Sequence, residues 1–349
     1  MNLKSTDENG LTKVKNVLGV MAGKGGVGKS TVSTNCAFAL QEMGYKVGVI
    51  DADIYGPSLK LMLGAQDSPK SERGWIIPVE TSGIKLISLS LFKQGEMSNA
   101  VRAPIANSII SQFINDVQWG ELDYLIVDFP PGTGDIQLTL MQHLQFTAVL
   151  FVSTPQKVAV MDVKKSVEMA RDMEIPICGV VENMSYLEST NTNLFGLSFV
   201  GDLDMKIMAK LPLSSELSEC SDRGESLYNV APESLICHLF LDIAAQVDSF
   251  CSEINKIDKM ITEIKLVDPY NLELNLRDGK KVLYQVSDLQ AHCPCARCAK
   301  GRSGVDPKVE ATEVSLVGQY AIKLKFSSGC SNGIFSLQTL KRLEHETAH

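Results

Sequence analysis

Gly23-Lys24-Gly25-Gly26-Val27-Gly28-Lys29-Ser30-Thr31 is the stretch on which the fold turns. A glycine, four residues, then Gly28, Lys29 and Ser30 is the spacing of a phosphate-binding loop. Gly25, Gly26 and Gly28 allow positive φ and a close approach of backbone to phosphate oxygens. The backbone N–H groups from Gly23 to Thr31 can then form an anion-binding concavity at a helix N-terminus, where the helix dipole favours negative charge. Lys29 can reach the β- and γ-phosphates of ATP, and the Ser30 hydroxyl can ligate Mg²⁺. The flanks agree with this reading. Val17 to Met21 is a short apolar run suited to a buried parallel strand, and Val32 to Met43 has helical character up to Gly44.

Working outward, Lys46 to Ile50 reads as a second buried strand ending in Asp51-Ala52-Asp53. Carboxylates at the C-terminal end of a strand sit where an open α/β sheet binds its ligand. Asp53 is the candidate for positioning the attacking water, and Asp51 is equally readable as a turn or cap carboxylate. Leu122 to Asp128 is an apolar strand ending in a carboxylate, which places Asp128 to hold Mg²⁺. The loop Phe129 to Asp135 follows, and the Gly132 N–H could sense a γ-phosphate. Strands are expected at Ile84–Ser90, Thr147–Val152 and Ile175–Val181, with Lys210 to Leu213 at a last strand end. Helices are expected at Ile105–Val117, Ile136–His143, Ala159–Glu174 and over most of Pro232–Ile257. The Asn183 amide, closing a strand, could read an adenine edge or cap a turn. Strands and helices alternating in this order give a doubly wound, mostly parallel sheet.

Beyond a linker near Asp258 the pattern changes. Ile264–Leu276 and Lys281–Val286 alternate about Asp278-Gly279 as a hairpin, Tyr320–Phe326 and Ile334–Ser336 read as strands, and Leu337–His345 as a helix. This is a small α+β domain, residues 262–349, following a nucleotide-binding domain at 16–257 and a flexible lead at 1–15. Cys293, Cys295 and Cys298 lie within six residues, and Cys330 lies at a turn after a strand. Four thiolates from two segments suit tetrahedral zinc or an iron–sulfur centre, with His292 as an alternative to Cys330. Cys36, Cys178, Cys220, Cys237 and Cys251 sit in helix or strand patterns and read as core filler.

The whole chain sets bounds on function. Its 349 residues, 44% hydrophobic and 21% charged, are those of a globular two-domain protein. A net charge of −8 argues against a general nucleic-acid or anionic-membrane binder. The polar first 15 residues lack a signal-peptide core, and no apolar run is expected to approach the ~18 residues of a membrane span. A cytoplasmic protein is the expectation, and nine cysteines there point to metal or redox chemistry rather than disulfides.

Lys24, a second lysine in the loop, resembles that of the deviant Walker A ATPases, in which it reaches the phosphates of a dimer partner. From 16 to 257 the chain is similar to the Mrp family of iron–sulfur cluster carrier ATPases. The likeness rests on 23–31, Asp51-Ala52-Asp53-Ile54-Tyr55-Gly56-Pro57-Ser58, Trp119 to Asp135, Thr154-Pro155-Gln156 and Val181 to Ser185. It implies a nucleotide-sandwich homodimer, weak ATP hydrolysis, and a cluster handed to apo-proteins or shared with assembly factors. The C-terminal part, through Leu289–Cys298 and Val317–Phe335, is similar to the N-terminal domain of gamma-butyrobetaine hydroxylases. That resemblance implies three cysteines and a histidine on zinc, with Cys330 standing here for the histidine. In the Mrp family a Cys-x-x-Cys follows Glu-Asn-Met-Ser. Here Tyr186 to Asn193 contains no cysteine. Two readings follow: a cluster-carrying ATPase, or a nucleotide-switched scaffold with structural zinc.

Overall fold

The computed structural model describes residues 10–92, 103–258, 261–276, 279, 281–293, 308–317, 321–328, 330, 333–336, 339–340 and 343. It divides into two compact units, 1–250 and 251–349. In the first, β1 (Val14–Ala22), α1 (Lys29–Glu42) and β2 (Val47–Asp51) form the opening β-α-β unit. Next come α2 (Leu59–Met62), β3 (Lys70–Glu72), β4 (Trp75–Ile77), β5 (Val79–Thr81) and β6 (Ile84–Ser88). Then follow α3 (Ala103–Asn115), β7 (Leu122–Asp128), α4 (Asp135–His143), β8 (Ala148–Ser153), α5 (Lys157–Asp172) and β9 (Ile177–Glu182). A small hairpin, β10 (Tyr186–Leu187) with β11 (Thr192–Asn193), precedes β12 (Ile207–Lys210), α6 (Ser215–Arg223), α7 (Leu227–Val230) and α8 (Leu235–Asp258).

Eight strands make one sheet in the order β12-β9-β8-β1-β7-β2-β6-β5. All neighbours are parallel except β5, which runs antiparallel on the edge. Strands buried on both faces read as near-continuous apolar runs, and Val17–Ala22, Val47–Ile50, Tyr124–Val127 and Ala148–Val152 do. Leu18, Val20, Met21, Ile126 and Val127 are fully buried, each worth about 1.5–3 kcal/mol against exposure. Sheet order sets the site: β7 lies between β1 and β2, so Val20 and Asp51 both pair in register with Asp128. The carboxyl ends of three strands therefore meet beside the loop that follows β1, at the point where the chain switches direction.

Several boundaries differ from the sequence reading. The lead ends earlier than expected, because the Asn16 amide donates to the Asp123 carbonyl (3.0 Å) and draws β1 back to Val14. The strand expected at Ile84–Ser90 stops at Ser88, where the Ser88 hydroxyl accepts from the Ser90 N–H and turns the chain. The region from Gly64 carries the short strands β3 to β5, too brief to show a period. α8 includes a 22-residue stretch, Leu235–Lys256, long and apolar enough to cross a membrane. Its buried residues Ile236, Phe240, Ile243, Ala244 and Val247 recur every three or four positions, as on the core face of an amphipathic helix. The Tyr124 hydroxyl also donates to Asp248 (2.6 Å), tying α8 to β7.

The second unit contains two three-stranded antiparallel sheets. One holds β13 (Ile261–Asp268), β14 (Asn271–Leu276) and β15 (Lys281–Gln285), followed by α9 (Val286–Ala291). The other holds β16 (Ala311–Val317), β17 (Ala321–Phe326) and β18 (Gly333–Ser336). The segment Ile264–Leu276, read as one strand, is two: Asp268 accepts from the Tyr270 N–H (2.7 Å) and the Asn271 amide, making a turn at Pro269. β16 is a strand that the sequence pattern does not reveal. Asp278 and most of the helix expected at Leu337–His345 fall outside the described residues. Leu272, Leu289, Ile322, Leu324 and Phe335 are fully buried in this unit's own core.

Candidate functional site

The loop between β1 and α1 has Gly26 and Gly28 at φ 80° and 84°, in the left-handed region. A side chain on Gly25 or Gly26 would meet nothing within 4 Å, so the loop's outer face is open. Gly28 differs: a Cβ there would fall 2.1 Å from the Asn183 amide nitrogen. A Cβ on Gly23 would strike the backbone of Asp162 and Val163 in α5 at 2.2 Å. Glycines thus serve two purposes in one loop, exposing amides on one side and letting packed elements close in on the other.

Everything at the loop's end converges on Asp128, which is fully buried. Its Oδ2 accepts from Lys29 Nζ at 2.7 Å and from the Ser30 hydroxyl at 2.8 Å. Its Oδ1 accepts from the Ser33 hydroxyl. Lys29 is itself buried, so this ion pair is shielded from solvent. The oxygens of Ser30 and Asp128 form the hard, all-oxygen donor set that suits Mg²⁺. They lie beside an open loop of left-handed glycines, as a magnesium–nucleotide site requires.

Asp51 sits on the next strand, 1% exposed. It accepts from the Ser88 hydroxyl (3.0 Å), the Leu59 N–H (3.3 Å) and the Asp53 N–H (3.2 Å). Burial and the neighbouring Asp128 push its pKa up to about 7, against the lowering effect of Ser88, Lys29 and the Leu59 amide. Asp53 is half-buried; burial raises its pKa and nearby Lys29 counters it. Its Oδ1 accepts from the Gly56 N–H (3.2 Å). Both aspartates therefore cap turns while facing the same lysine. The Gly132 N–H donates to the Ala22 carbonyl (3.3 Å). Lys24 is half-buried and makes no hydrogen bond or ion pair with the described residues.

Asn183 donates to the Val27 carbonyl at 2.9 Å, so its amide is held on the loop itself. From there a groove of about 310 Å³ opens, lined by Thr31, Asn183, Met184, Pro212, Leu213 and Asp222 among others. Its mixture of apolar walls and a few polar groups at the loop's end is suited to a nucleoside. Ser33 and Ser88 were missed from the sequence. Ser33 lies one helical turn after Lys29, the only signal that could have exposed it.

In the second unit Cys293 and Cys330 are brought together, Sγ to Sγ 3.9 Å, and both are buried. Tetrahedral zinc at Zn–S distances of about 2.3 Å sets its sulfurs about 3.8 Å apart, so the spacing fits two ligands of one centre. Gln290 donates to Ser328 and ties the two thiol-bearing segments. His292 lies exposed with Nδ1 at 2.9 Å from the Asp288 carbonyl, and it is the Sγ–Sγ contact that makes Cys330 the partner of Cys293. Cys295 and Cys298 lie outside the described residues. No disulfide forms among the seven described cysteines. Burial pushes the Cys36 thiol up to about 12, as for an inert core residue.

Comparison with known proteins agrees with this geometry. Residues 13–248 match the family model described as the NUBPL iron-transfer P-loop NTPase, and residues 265–341 match the gamma-butyrobetaine hydroxylase-like N-terminal model. The iron-sulfur cluster carrier protein of Aquifex aeolicus is 40% identical over 66% of this chain and 66% of its own length. The chloroplastic Fe-S cluster assembly factor HCF101 of Arabidopsis thaliana is 33% identical over 92% of this chain and 63% of its own. Among solved structures, a nucleotide-binding protein in complex with ADP from Archaeoglobus fulgidus is 36% identical with a TM-score of 0.54, covering 61% of this chain and 88% of that one. The chain spans about two-thirds of the length of these two curated relatives. By loop, sheet order and sequence alike, the chain belongs to the NUBPL iron-transfer P-loop NTPase family.

Proposed function

We propose that this protein is a magnesium-dependent ATPase that carries an iron–sulfur cluster to apo-proteins. The observation that carries the nucleotide half is the convergence of Lys29, Ser30 and Ser33 on buried Asp128 beside an open glycine loop. Amides of the loop cradle the phosphates, and the Lys29 ammonium offsets their charge. Ser30 and Asp128 would hold Mg²⁺, which supplies further charge stabilisation at the phosphate oxygens. Asp53, held by Gly56, orients the attacking water. The groove from Asn183 to Asp222 takes the nucleoside. Hydrolysis is weak, because nucleotide state sets conformation rather than driving bulk turnover.

A homodimer is part of this reading. Lys24 has no ion pair among the described residues and would meet the phosphates held by a second copy. Tyr55, Val158 and Met161 are exposed on segments around the loop, apolar surface suited to a contact between copies. A reducing, cytoplasmic setting is supported by nine cysteines with no disulfide among those described. We take 16–257 as the nucleotide unit and 262–349 as the metal unit, with Cys293, Cys295, Cys298 and Cys330 as ligands.

The relatives' names motivate cargo carriage, and the thiols of the metal unit are the candidate handle. Anaerobic reconstitution with iron and sulfide tests it: cluster absorbance in the visible, and transfer to an apo-acceptor, are expected. A second reading, a nucleotide-switched scaffold with structural zinc, is favoured by the β10–β11 hairpin, whose residues Tyr186 to Asn193 lack thiols. Metal analysis separates them. Zinc alone at one per chain, with no transfer, would replace the carrier by the scaffold.

A further inference from the structure

We infer that Ser33 is a positioning residue for the magnesium site, acting through Asp128; this rests on the nucleotide reading above. Ser33 is fully buried on α1, one turn after Lys29. Its hydroxyl has two acceptors within reach, the Lys29 carbonyl (3.1 Å) and Asp128 Oδ1. A hydroxyl has one proton to give, and an ionised carboxylate is the stronger acceptor. The proton therefore points at Asp128. The Lys29 carbonyl is not left wanting, because it lies within a regular helix.

The consequence lies in how Asp128 is shared. Lys29 and Ser30 both donate to Oδ2, and among the described residues Ser33 is the hydroxyl on Oδ1. Lys29 and Ser30 are the groups expected to turn to phosphate and metal. Ser33, walled in by the helix, is not. When the other two engage ligand, Ser33 still fixes the rotation of the carboxylate and keeps Oδ2 aimed at Ser30. The neighbouring carboxylate has a matching arrangement: Asp51 takes the Ser88 hydroxyl on Oδ2, so each of two adjacent strand-end carboxylates is oriented by its own serine. Partners behind a ligating carboxylate typically change metal affinity 10- to 100-fold when removed.

The test measures nucleotide affinity by equilibrium binding of ATP and ADP across a magnesium titration in full-length protein. Thermal unfolding is recorded in parallel. For S33A, the magnesium concentration giving half of the magnesium-dependent gain in affinity should rise about 10-fold. Affinity without magnesium should stay within about twofold, and S33T, which keeps the hydroxyl, should return the half-point to within about threefold of the parent. If S33A does not fold, S33C is read the same way, since it keeps the shape and offers only a weak donor. An unchanged magnesium half-point in a folded variant overturns the inference, as does equal weakening with and without magnesium. A parent protein that binds no nucleotide would instead sink the nucleotide reading itself.

Discussion

The two candidate sites are held in opposite ways. The nucleotide site is made of strand ends and backbone amides: β1, β2 and β7 bring Ala22, Asp51 and Asp128 together because a parallel sheet leaves them no other place. Its polar groups are already satisfied by one another, as in the Lys29–Asp128 pair. The thiol site rests on short antiparallel hairpins, and its two segments meet through side chains, Cys293 with Cys330 and Gln290 with Ser328. The first is a site the fold makes. On the proposed metal reading the second would help make its fold, since bound metal contributes directly to the stability of a small domain.

Removing metal should break that contrast most sharply. Stripping the protein with a strong chelator, or changing Cys330 to Ser, should lower the melting temperature of the second unit, because a metal held between Cys293 and Cys330 would add its binding free energy to that unit's own apolar core. Nucleotide affinity should be unmoved. Two transitions in calorimetry, the first of them metal-dependent, are expected; a single transition insensitive to chelator would count against it.

Lys29→Ala attacks the other site. ATP turnover should fall about 100-fold or more. Asp128 would lose its buried cation, and loss of one partner of such a pair costs about 3–5 kcal/mol, softened here by Ser30 and Ser33. Metal content of the second unit should not change, and a co-purified metal ratio equal to the parent's checks this.

The Asp51 carboxyl gives a pH signature confined to the first unit. Its pKa is raised from 3.8 to about 7 in the folded protein. The folded state therefore holds a proton the unfolded chain releases, and stability falls as pH rises from about 4 to about 7, by up to about 4 kcal/mol. Asp51→Asn should flatten that slope: no stabilisation near pH 4, and its largest near pH 8, in denaturant titrations. An equal effect of Asn at both pH values would contradict it. The smallest expected effect is that of Gly28→Ala. Positive φ and the contact with Asn183 together cost about 1–3 kcal/mol, and nucleotide affinity should weaken more than stability does.

The same contrast explains what the sequence made legible. The loop at 23–31, the strand ending in Asp128 and the β-α alternation are contiguous, and a contiguous motif carries its own context. Local turn chemistry misled in the second unit: Asp268-Pro269-Tyr270-Asn271 is a turn signal inside what reads as one alternating strand. β16 is illegible in the sequence because the adjacent exposed Thr312 and Glu313 interrupt its alternation. Ser33 and Ser88 could not be picked out, since a serine's role depends on the acceptor that folding brings beside it. The partner of the Gly132 amide, the Ala22 carbonyl, is hidden for the same reason, since only the closed sheet brings it there.

The most direct measurement is the affinity of the purified chain for ATP with and without magnesium. Saturable binding strengthened by magnesium, and lost in Lys29→Ala, is the result expected from a glycine loop closed on Lys29, Ser30 and Asp128. No measurable binding of adenine nucleotide at millimolar magnesium would contradict it, whatever the thiols of the second unit hold.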